Sequence, residues 1–320
     1  MTRPHDDARS PDLAAALLLE RRDFVARDLA RSHPPRLRHA NKKIVHELAC
    51  PPGSALEGAI GYSRWRAGPL PEVLPPRAPA VEAREDAFGY EPEPPPTVAW
   101  YVNFADPNLF FAYAGGLLAQ DELQVAEHPA LASVREALVA SGLLAVTEEL
   151  GRATPVLVTG VERRCAIATK VLYGNRFAAA APELVRRSVK VLSPPTITNV
   201  LAIAAPSHGR GVYKRGEIER VLETAHAGFL AARLESARVA GRAGANRDDP
   251  APVTIHTGFW GCGAFGGNRV LMAALQLVAA HLAGVDRVVF HAFDAAGSEA
   301  FAAARAIDAL ELAWGEGDGT

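Results

Sequence analysis

The sequence predicts an α/β fold in which a mixed β-sheet is sandwiched between helices. Beyond residue 96, short apolar runs rich in β-branched residues alternate with longer runs of helical periodicity. A segment with five glycines between residues 258 and 267 separates one predicted strand from one predicted helix. Alternation of this kind is typical of a largely parallel or mixed sheet with both faces covered.

The N-terminal region, residues 1–90, is predicted to be an accessory region that is mainly helical at first and then extended. Apolar residues recur at roughly helical spacing over residues 12–32, so one helix is expected there, ended by two prolines. Prolines then crowd residues 51–96, which indicates an extended segment, and we place the domain boundary within it. The main domain is therefore expected to cover residues 91–320.

A basic patch made of Arg36, Arg38, Lys42 and Lys43 follows the first predicted helix. The whole chain has a net charge of −2, which gives it no general attraction to nucleic acid. We therefore interpret the patch as a solvated helix face or connector rather than a nucleic-acid contact. No direct sequence-specific binding of nucleic acid is expected.

Strands and helices are predicted to alternate in the main domain. Strands are expected at the apolar runs 98–104, 155–159, 199–205, 253–256 and 288–293. Helices are expected at the amphipathic runs 121–126, 130–140, 181–190, 216–234 and 269–283. The stretch 236–250, rich in alanine, arginine and glycine, is expected to be a surface loop.

Composition limits the class of protein. The chain has 320 residues, of which 49% are hydrophobic and 22% are charged. This composition is typical of an ordinary globular protein with a substantial core. Its three widely spaced cysteines form no disulfide framework, so a reducing cytoplasm is expected. No apolar run approaches a membrane span, and no ligand-spaced cluster indicates a metal. The high alanine, arginine and proline usage is typical of a GC-rich bacterial genome.

The glycine-rich segment indicates a phosphate or pyrophosphate site. Glycines let the main chain approach a ligand closely, and the following helix N-terminus offers unpaired N–H groups and a positive dipole end. Gly261, Gly263 and Gly266 also satisfy the G-x-G-x-x-G pattern of NAD-dependent dehydrogenases. Little more than one βαβ unit follows, however, and the expected acidic residue is misplaced, because Asp286 precedes the next strand and Asp294 lies too far along.

Residues 257–268 read T-G-F-W-G-C-G-A-F-G-G-N. This string closely resembles the T-G-N-W-G-C-G-A-F-G-G-D loop of poly(ADP-ribose) glycohydrolases, whose catalytic domain has a macrodomain fold. That family also carries F-A-N, a glycine triplet and Q-E-E upstream, and the corresponding text here runs from Phe104 to Glu122 with the spacing kept. Residues 155–162 resemble the family's strand that ends in T-G-x-E. The resemblance covers residues 97–295 and implies a macrodomain-like fold.

The resemblance implies that Glu122 and Asp121 are catalytic, because Glu122 matches the family's second, catalytic glutamate. Hydrolysis of an ADP-ribose glycosidic bond requires protonation of the leaving oxygen and delivery of water, so one carboxyl can act as acid and then as base. A buried carboxyl beside a second carboxylate and a pyrophosphate is expected to have a raised pKa. We assign that pKa to Glu122, with Asp121 holding the ribose or tuning its neighbour. The residues alone leave a plainer alternative, in which both carboxylates merely suit a helix N-terminus.

The resemblance also implies a set of substrate-binding residues. Backbone N–H groups of residues 263–266 would hold the pyrophosphate, Phe265 would pack on the distal ribose, and Phe293 would lie near the adenosine. A core role is the alternative for both phenylalanines, and Cys262 is expected to be a small buried residue rather than a nucleophile. The full set comprises Asp106, Gly115, Gly116, Gln120, Phe259, Gly261, Cys262, Gly263, Ala264, Phe265, Gly266 and Phe293.

The chain departs from the family pattern at several positions. Phe110, Phe111 and Ala112 replace the glycine triplet, and phenylalanines are expected not to do the triplet's job in the same conformation. Gly115 and Gly116 are the expected substitute. Further departures are aspartate for asparagine at Asp106, phenylalanine for asparagine at Phe259, and Lys170, with Tyr173 nearby, in place of the adenine-stacking tyrosine.

These observations predict a hydrolase that needs no cofactor and cleaves the glycosidic bond of poly- or mono-ADP-ribose on a modified protein or nucleic acid. Two alternatives stay open, a non-catalytic reader of ADP-ribose and a hydrolase of another ADP-ribose-like nucleotide. The survival of Gln120, Asp121 and Glu122 favours catalysis, because a pure binding module has little need of adjacent carboxylates facing an anion. An NAD-dependent oxidoreductase is the least favoured reading.

Overall fold

The computed structural model describes residues 11–204, 206, 209, 211–242, 251–263 and 265–309. The elements of its first half are α1 (Pro11–Leu17), β1 (Leu18–Val25), α2 (Ala26–Ser32), α3 (Ala40–Ala49), β2 (Ala59–Trp65), β3 (Ala80–Arg84), β4 (Val98–Ala105), α4 (Gln120–Glu127), α5 (Ala130–Ala140), β5 (Glu148–Glu149) and β6 (Arg152–Ala153). They are followed by β7 (Val156–Ile167), α6 (Thr169–Leu172), α7 (Arg176–Ala179), α8 (Pro182–Arg187), β8 (Val189–Ala204), α9 (Arg215–Arg242), β9 (Val253–Gly258), α10 (Arg269–Ala283), β10 (Arg287–His291) and α11 (Ala295–Ala309).

Eight strands form one mixed sheet in the order β1-β2-β7-β8-β4-β9-β10-β3. Strands β8, β4, β9, β10 and β3 run parallel to one another. Strands β7, β2 and β1 extend the sheet with antiparallel pairing. The carboxyl ends of the parallel strands therefore meet at one edge, which is where open α/β sheets bind their ligands.

Helices cover both faces of the sheet, as the sequence predicts. On one face α9, α10 and α11 bury a core that includes Trp100, Ile255 and Phe290. On the other face α2, α4 and α5 bury a second core that includes Tyr62 and Leu131. Each large side chain fully withdrawn from water contributes about 1.5–3 kcal/mol. Burial on both faces explains why the parallel strands read as nearly continuous apolar runs.

The single helix predicted over residues 12–32 is wrong in its middle. Residues Leu18–Val25 form a strand that pairs antiparallel with β2, from Leu18 opposite Trp65 to Val25 opposite Ala59. The backbone pairing with β2 overrides the approximate helical spacing, because strand propensity depends on the neighbouring surface more than on the local pattern. Only the flanking α1 and α2 keep the predicted helical conformation.

Strands β1, β2 and β3 come from residues 1–90, the predicted accessory region, and all three belong to the large sheet. The division of the chain at residue 90 stays a prediction, but this region supplies part of the sheet that carries the main domain. The predicted loop over residues 236–250 is wrong over its first seven positions, because α9 continues to Arg242. Arg238 pairs with Glu235 at 2.5 Å and with Asp23 of β1 at 3.3 Å, which stabilises these last turns.

Candidate active site

The sheet opens between β4 and β9 at its carboxyl edge. These two strands pair as far as Tyr101 and His256, and their pairing ends there. Gln120, at the start of α4, occupies the free edge of β4, where its Oε1 accepts from the N–H of Phe104 at 2.8 Å and its Nε2 donates to the C=O of Val102 at 2.9 Å. One side-chain amide thus takes the place of a strand partner. It fixes the first turn of α4 at the opening.

Asp121 and Glu122 lie in this first turn and are both buried, at 7% and 4% exposure. The Asp121 Oδ1 accepts a hydrogen bond from Asn103 Nδ2 of β4 at 3.1 Å. The Glu122 Oε2 accepts the N–H of Ala119 at 3.0 Å, closing the first turn of the helix. The plainer alternative, in which both carboxylates suit a helix N-terminus, fits the hydrogen bond that Glu122 accepts from Ala119. It leaves the burial of both side chains unexplained, because isolated buried carboxylates are costly.

The pKa of Asp121 is raised in this site, and the raised pKa that the sequence analysis expects for Glu122 stays a prediction. Burial, followed by the charge of Glu122, raises the pKa of Asp121 from 3.8 to about 7. The hydrogen bond from Asn103 opposes this shift. One member of the pair therefore carries a proton for part of the time near neutral pH.

Asp121→Asn is expected to increase the free energy of unfolding at neutral to mildly alkaline pH by about 1–3 kcal/mol. The folded-state pKa of Asp121 lies above its unfolded value, so the stability that its proton contributes is present below about pH 4 and is lost as pH rises through about 7. The amide has no such proton to lose. Urea unfolding of both proteins at pH 4.5 and pH 7.5 measures the difference.

The matched control for this prediction is Glu183→Gln on α8, whose side chain is 79% exposed. It is expected to change stability little at either pH. A gain for Asp121→Asn that is equal at both pH values, or absent at pH 7.5, would contradict the raised pKa.

Lys42 of α3 is a neighbour of this turn that the sequence analysis missed. Its Nζ donates to the backbone C=O of Glu122 at 3.3 Å, and its side chain is buried. The interpretation of the basic patch as a solvated face is therefore wrong for Lys42. Lys42, Val45 and Ala49 share the buried stripe of α3, and a lysine within an apolar stripe is a signal that could have found it.

Asn103 is a further neighbour that sequence reasoning did not place in the site, and Tyr173, which the sequence analysis places near the position of the adenine-stacking tyrosine, lies close to Glu122. Asn103 holds Asp121 and is fully buried. Tyr173 follows α6, and its pKa is raised by burial and then by the nearby charge of Glu122. No local pattern marks Asn103, since one asparagine in a strand is unremarkable without the partner that it meets in space.

The glycine loop lies at the carboxyl end of β9, as predicted. Gly261 and Gly266 have φ angles of 72° and 68°, a left-handed conformation that favours glycine. Trp260 is fully buried and anchors the loop in the core. Asn268 ends the loop and caps α10, since its side chain accepts the N–H of Leu271 at 3.0 Å.

Gly263 lies at the exposed tip of the glycine loop. A Cβ added to it would meet no atom within 4 Å, so the space above the backbone is open. Among the described residues, none accepts a hydrogen bond from the N–H of Gly263 or Phe265, whereas the N–H of Gly266 donates to the C=O of Gly263 at 3.2 Å. Ala264 lies outside the described residues. Free N–H groups and the α10 N-terminus are the elements of an anion site.

Phe104 and Tyr213 support the two sides of the opening. The backbone of Phe104 holds Gln120, and its ring lies 3.6 Å from the Cβ position of Gly258 at the start of the glycine loop. The Tyr213 hydroxyl donates to the C=O of Gly209 at 2.8 Å and accepts the N–H of Asn268 at 2.9 Å. These contacts join the segment after β8 to the glycine loop, and the sequence analysis missed both roles.

The three phenylalanines that are predicted to bind the substrate differ in their exposure and packing. Phe265 and Phe293 are 38% and 56% exposed, so neither is a core residue. Phe293 has a φ of 75°, an uncommon conformation that concentrates at functional sites. Phe259 instead packs edge-on against Phe290 with ring centroids 5.0 Å apart, and the Arg269 guanidinium lies 5.0 Å from its ring. The binding roles of all three stay predictions.

The remaining predicted residues lie in or near the loops that follow β4 and β9. Burial raises the pKa of the Cys262 thiol to about 12, which fits a small packing residue rather than a nucleophile. Asp106 is exposed, and its carboxylate accepts the N–H of Asn108 at 2.8 Å. A Cβ on Gly116 would lie 3.0 Å from the His39 ring, whereas one on Gly115 would come no nearer than 3.4 Å to another atom.

Phe110, the first residue at the place of the glycine triplet, has a left-handed backbone conformation, and the expectation that Phe110 and Phe111 do not do the triplet's job stays a prediction. The φ of Phe110 is 53°, and its ring is fully buried. The left-handed conformation costs roughly 1–2 kcal/mol, and burial of the ring contributes about 1.5–3 kcal/mol, which offsets it. Phe111 is 55% exposed, with the Arg135 guanidinium 5.8 Å from its ring. Of the three residues that replace the triplet, only Phe110 therefore has the left-handed conformation that favours glycine.

No described helix combines the length and the apolar character needed to cross a bilayer. Among the described residues, no group of three or more histidine, cysteine, aspartate or glutamate side chains is placed to hold a metal ion.

A mixed sheet between two helical layers, with a carboxylate-bearing turn and a glycine loop at its carboxyl edge, is the arrangement of a macrodomain. The sequence model described as poly(ADP-ribose) glycohydrolase, macro domain fold, matches residues 99–300. The chain belongs to the poly(ADP-ribose) glycohydrolase family. The predicted family, fold and glycohydrolase class are confirmed.

Solved structures of this family are similar to the chain. Poly(ADP-ribose) glycohydrolase from Thermomonospora curvata is 16% identical, with 84% of this chain and 99% of that chain covered and a TM-score of 0.48. The enzyme from Deinococcus radiodurans in complex with ADP-ribose is 17% identical, with 94% and 99% covered and a TM-score of 0.42. No curated protein matches the chain.

Proposed function

We propose that this protein hydrolyses the glycosidic bond of poly- or mono-ADP-ribose, with Glu122 as the general acid and then the general base. The observation that carries the proposal is the buried pair of Asp121 and Glu122 where β4 and β9 part. Phe104 joins this pair to the glycine loop, through Gln120 on one side and Gly258 on the other. Membership of the family named for this activity supports the assignment.

Glu122 is arranged to present one oxygen to a ligand. Its Oε2 accepts the N–H of Ala119, while Oε1 accepts no hydrogen bond from any described residue. Protonated Oε1 would donate to the leaving ribose oxygen as the bond from that oxygen to the anomeric carbon breaks. The resulting carboxylate would then accept a proton from a water molecule as the water oxygen bonds to the anomeric carbon. Asp121 supplies negative charge beside the developing oxocarbenium ion whenever it is ionised.

The glycine loop would hold the pyrophosphate of the substrate. The N–H groups of Gly263 and Phe265 and the N-terminus of α10 all suit a doubly charged anion. Because the ligand is fixed at its pyrophosphate, its distal ribose would be held against α4 and not diffuse freely. Because the loop would bind the pyrophosphate and Glu122 would transfer the proton, substitutions in the two places would change binding and turnover separately.

The test is release of ADP-ribose from poly(ADP-ribose) by the full chain, followed by chromatography, with calorimetric titration of ADP-ribose in parallel. Release together with binding supports the glycohydrolase. Binding without release would replace it by a reader of ADP-ribose or by a hydrolase of a related nucleotide. Absence of both would refute an ADP-ribose site.

We further propose that the ADP-ribose acted on is attached to a protein or nucleic acid in the cytoplasm of a bacterium. The three cysteines, Cys50, Cys165 and Cys262, are all free thiols, which supports a reducing compartment. Proteins modified with ADP-ribose that lose the label when the purified chain is added would identify the carrier.

A further inference from the structure

Lys42 is a buried cation that reaches the active-site turn from outside the part of the chain that the family model matches, residues 99–300. Its residue is 3% exposed, and its Nζ donates to the C=O of Glu122 at 3.3 Å. The ammonium also lies 5.5 Å from the centre of the Phe177 ring, within range of a cation–π contact. Three elements of the fold, α3, α4 and α7, therefore enclose one positive charge.

The carboxylates of Asp121 and Glu122 are the negative charges that act on Lys42. Burial lowers the pKa of Lys42 to about 8, and the two carboxylates oppose that shift. The ammonium therefore remains mostly protonated at neutral pH. The attraction is reciprocal, since Lys42 opposes the upward shift in the pKa of Asp121.

The other titratable groups around Lys42 do not replace its charge. Burial lowers the pKa of His46 on α3, and burial raises the pKa of Tyr113 to about 12, so both are mainly neutral near pH 7. Exposed charged residues lie on the elements that pack against α3, where solvent screens them: Glu183, Arg186 and Arg187 on α8, and Lys190 on β8. On β7, Arg164 donates to the C=O of Ala49 at the end of α3 and pairs with Glu162 at 2.7 Å.

We propose that Lys42 is a positioning residue of the glycohydrolase, whose buried ammonium holds the first turn of α4 and supplies positive charge beside Asp121 and Glu122. This inference rests on the proposed function for its catalytic consequence. A pair of buried carboxylates with no cation beside it would hold its protons more tightly, because ionisation would place an uncompensated charge in a low-dielectric site. With Lys42 present, Asp121 is ionised for part of the time near neutral pH. An ionised Asp121 can then stabilise the positive charge that develops on the substrate.

The test uses three variants of the full chain. Lys42→Gln keeps a hydrogen-bond donor without the charge, Lys42→Met removes both, and Lys42→Arg keeps the charge. Lys43→Met is the matched control, because Lys43 is the exposed neighbour on the same helix. Carbon-13 NMR of the Asp121 carboxyl follows its titration in each folded protein, and the pH profile of ADP-ribose release follows turnover.

In Lys42→Gln and Lys42→Met the Asp121 titration is expected to move up by about one pH unit, with the acid limb of the activity profile moving in the same direction. Turnover at pH 7 should fall about tenfold, as the working protonation state becomes less populated. Lys42→Arg should restore both readouts at least in part, and Lys43→Met should leave both unchanged.

An unchanged Asp121 titration in a folded neutral variant overturns the proposal, as does equal loss of turnover in the neutral variants and Lys42→Arg without a shift of the profile. If neither neutral variant folds while Lys42→Arg does, the charge serves only the structure, and the positioning role is overturned. The NMR titration needs no turnover. If the wild type releases no ADP-ribose, the proposed function fails while the coupling of Lys42 to Asp121 is still decided.

Discussion

Glu122→Gln is expected to slow the release of ADP-ribose from poly(ADP-ribose) by about 10²–10⁴-fold, while ADP-ribose still binds. The amide has the shape of the carboxyl, and its Oε1 can still accept the N–H of Ala119 that Glu122 accepts at 3.0 Å. The first turn of α4 is therefore kept. What is lost is the proton that the leaving oxygen needs. Initial rates by chromatography and affinity by calorimetry measure the two effects separately.

The matched control for Glu122→Gln is Glu136→Gln on α5, where the carboxylate accepts a hydrogen bond from the Tyr113 hydroxyl at 2.8 Å. This variant makes the same chemical change on a neighbouring helix and is expected to retain nearly full turnover. Retention of more than about a tenth of the wild-type rate by Glu122→Gln would rule out Glu122 as the general acid. The search for that acid would then turn to Asp121.

Gly263→Val is expected to weaken ADP-ribose binding about 10–100-fold and to leave the stability of the free protein nearly unchanged. A Cβ at Gly263 meets no atom within 4 Å beyond its chain neighbours, and the φ of Gly263 lies outside the left-handed region, so we expect the fold to accommodate the substitution. The added side chain would fill the space that the pyrophosphate needs above the loop. Loss of one or two charge-assisted hydrogen bonds, about 1.5–3 kcal/mol, gives the expected decrease.

Gly216→Val is the matched control for this variant, because Gly216 on α9 also has no neighbour within 4 Å of an added Cβ. It should leave the affinity unchanged. Calorimetric titration of ADP-ribose and thermal unfolding of both variants provide the measurements. Wild-type affinity in a folded Gly263→Val protein would show that the ligand does not lie on the tip of the loop.

Much of the parallel half of the sheet could be predicted from local sequence. Strands β4, β9 and β10 and helices α4, α5 and α10 begin within a few residues of their predicted positions, because apolar periodicity and buried-strand composition are local signals. The glycine loop was also predictable, since left-handed φ angles such as those of Gly261 and Gly266 favour glycine. The adjacent carboxylates were found through the resemblance to the family's Q-E-E text, because their place at the start of a helix also suits the plainer alternative.

The N-terminal part of the chain was less predictable. Residues Leu18–Val25 carry a spacing that suits a helix, yet they lie at the edge of the sheet because β2 offers a free row of backbone groups. Phe110 likewise takes a left-handed conformation because a core position for its ring offsets the strain. In both cases a partner distant in sequence decides the local conformation.

The sequence by itself determined the family, the macrodomain-like sheet, the glycine loop and the candidate carboxylates, because each depends on residue types at short, regular spacing. The tertiary structure alone decided that Asp121 is the carboxyl with a pKa near 7, that Asn103 holds it, and that Lys42 supplies the nearest buried cation. Burial and charge coupling arise between segments as far apart as the 80 residues that separate Lys42 from Glu122. No local sequence pattern shows which of these distant segments come together. The charges that act on the site can therefore be described only from the folded structure.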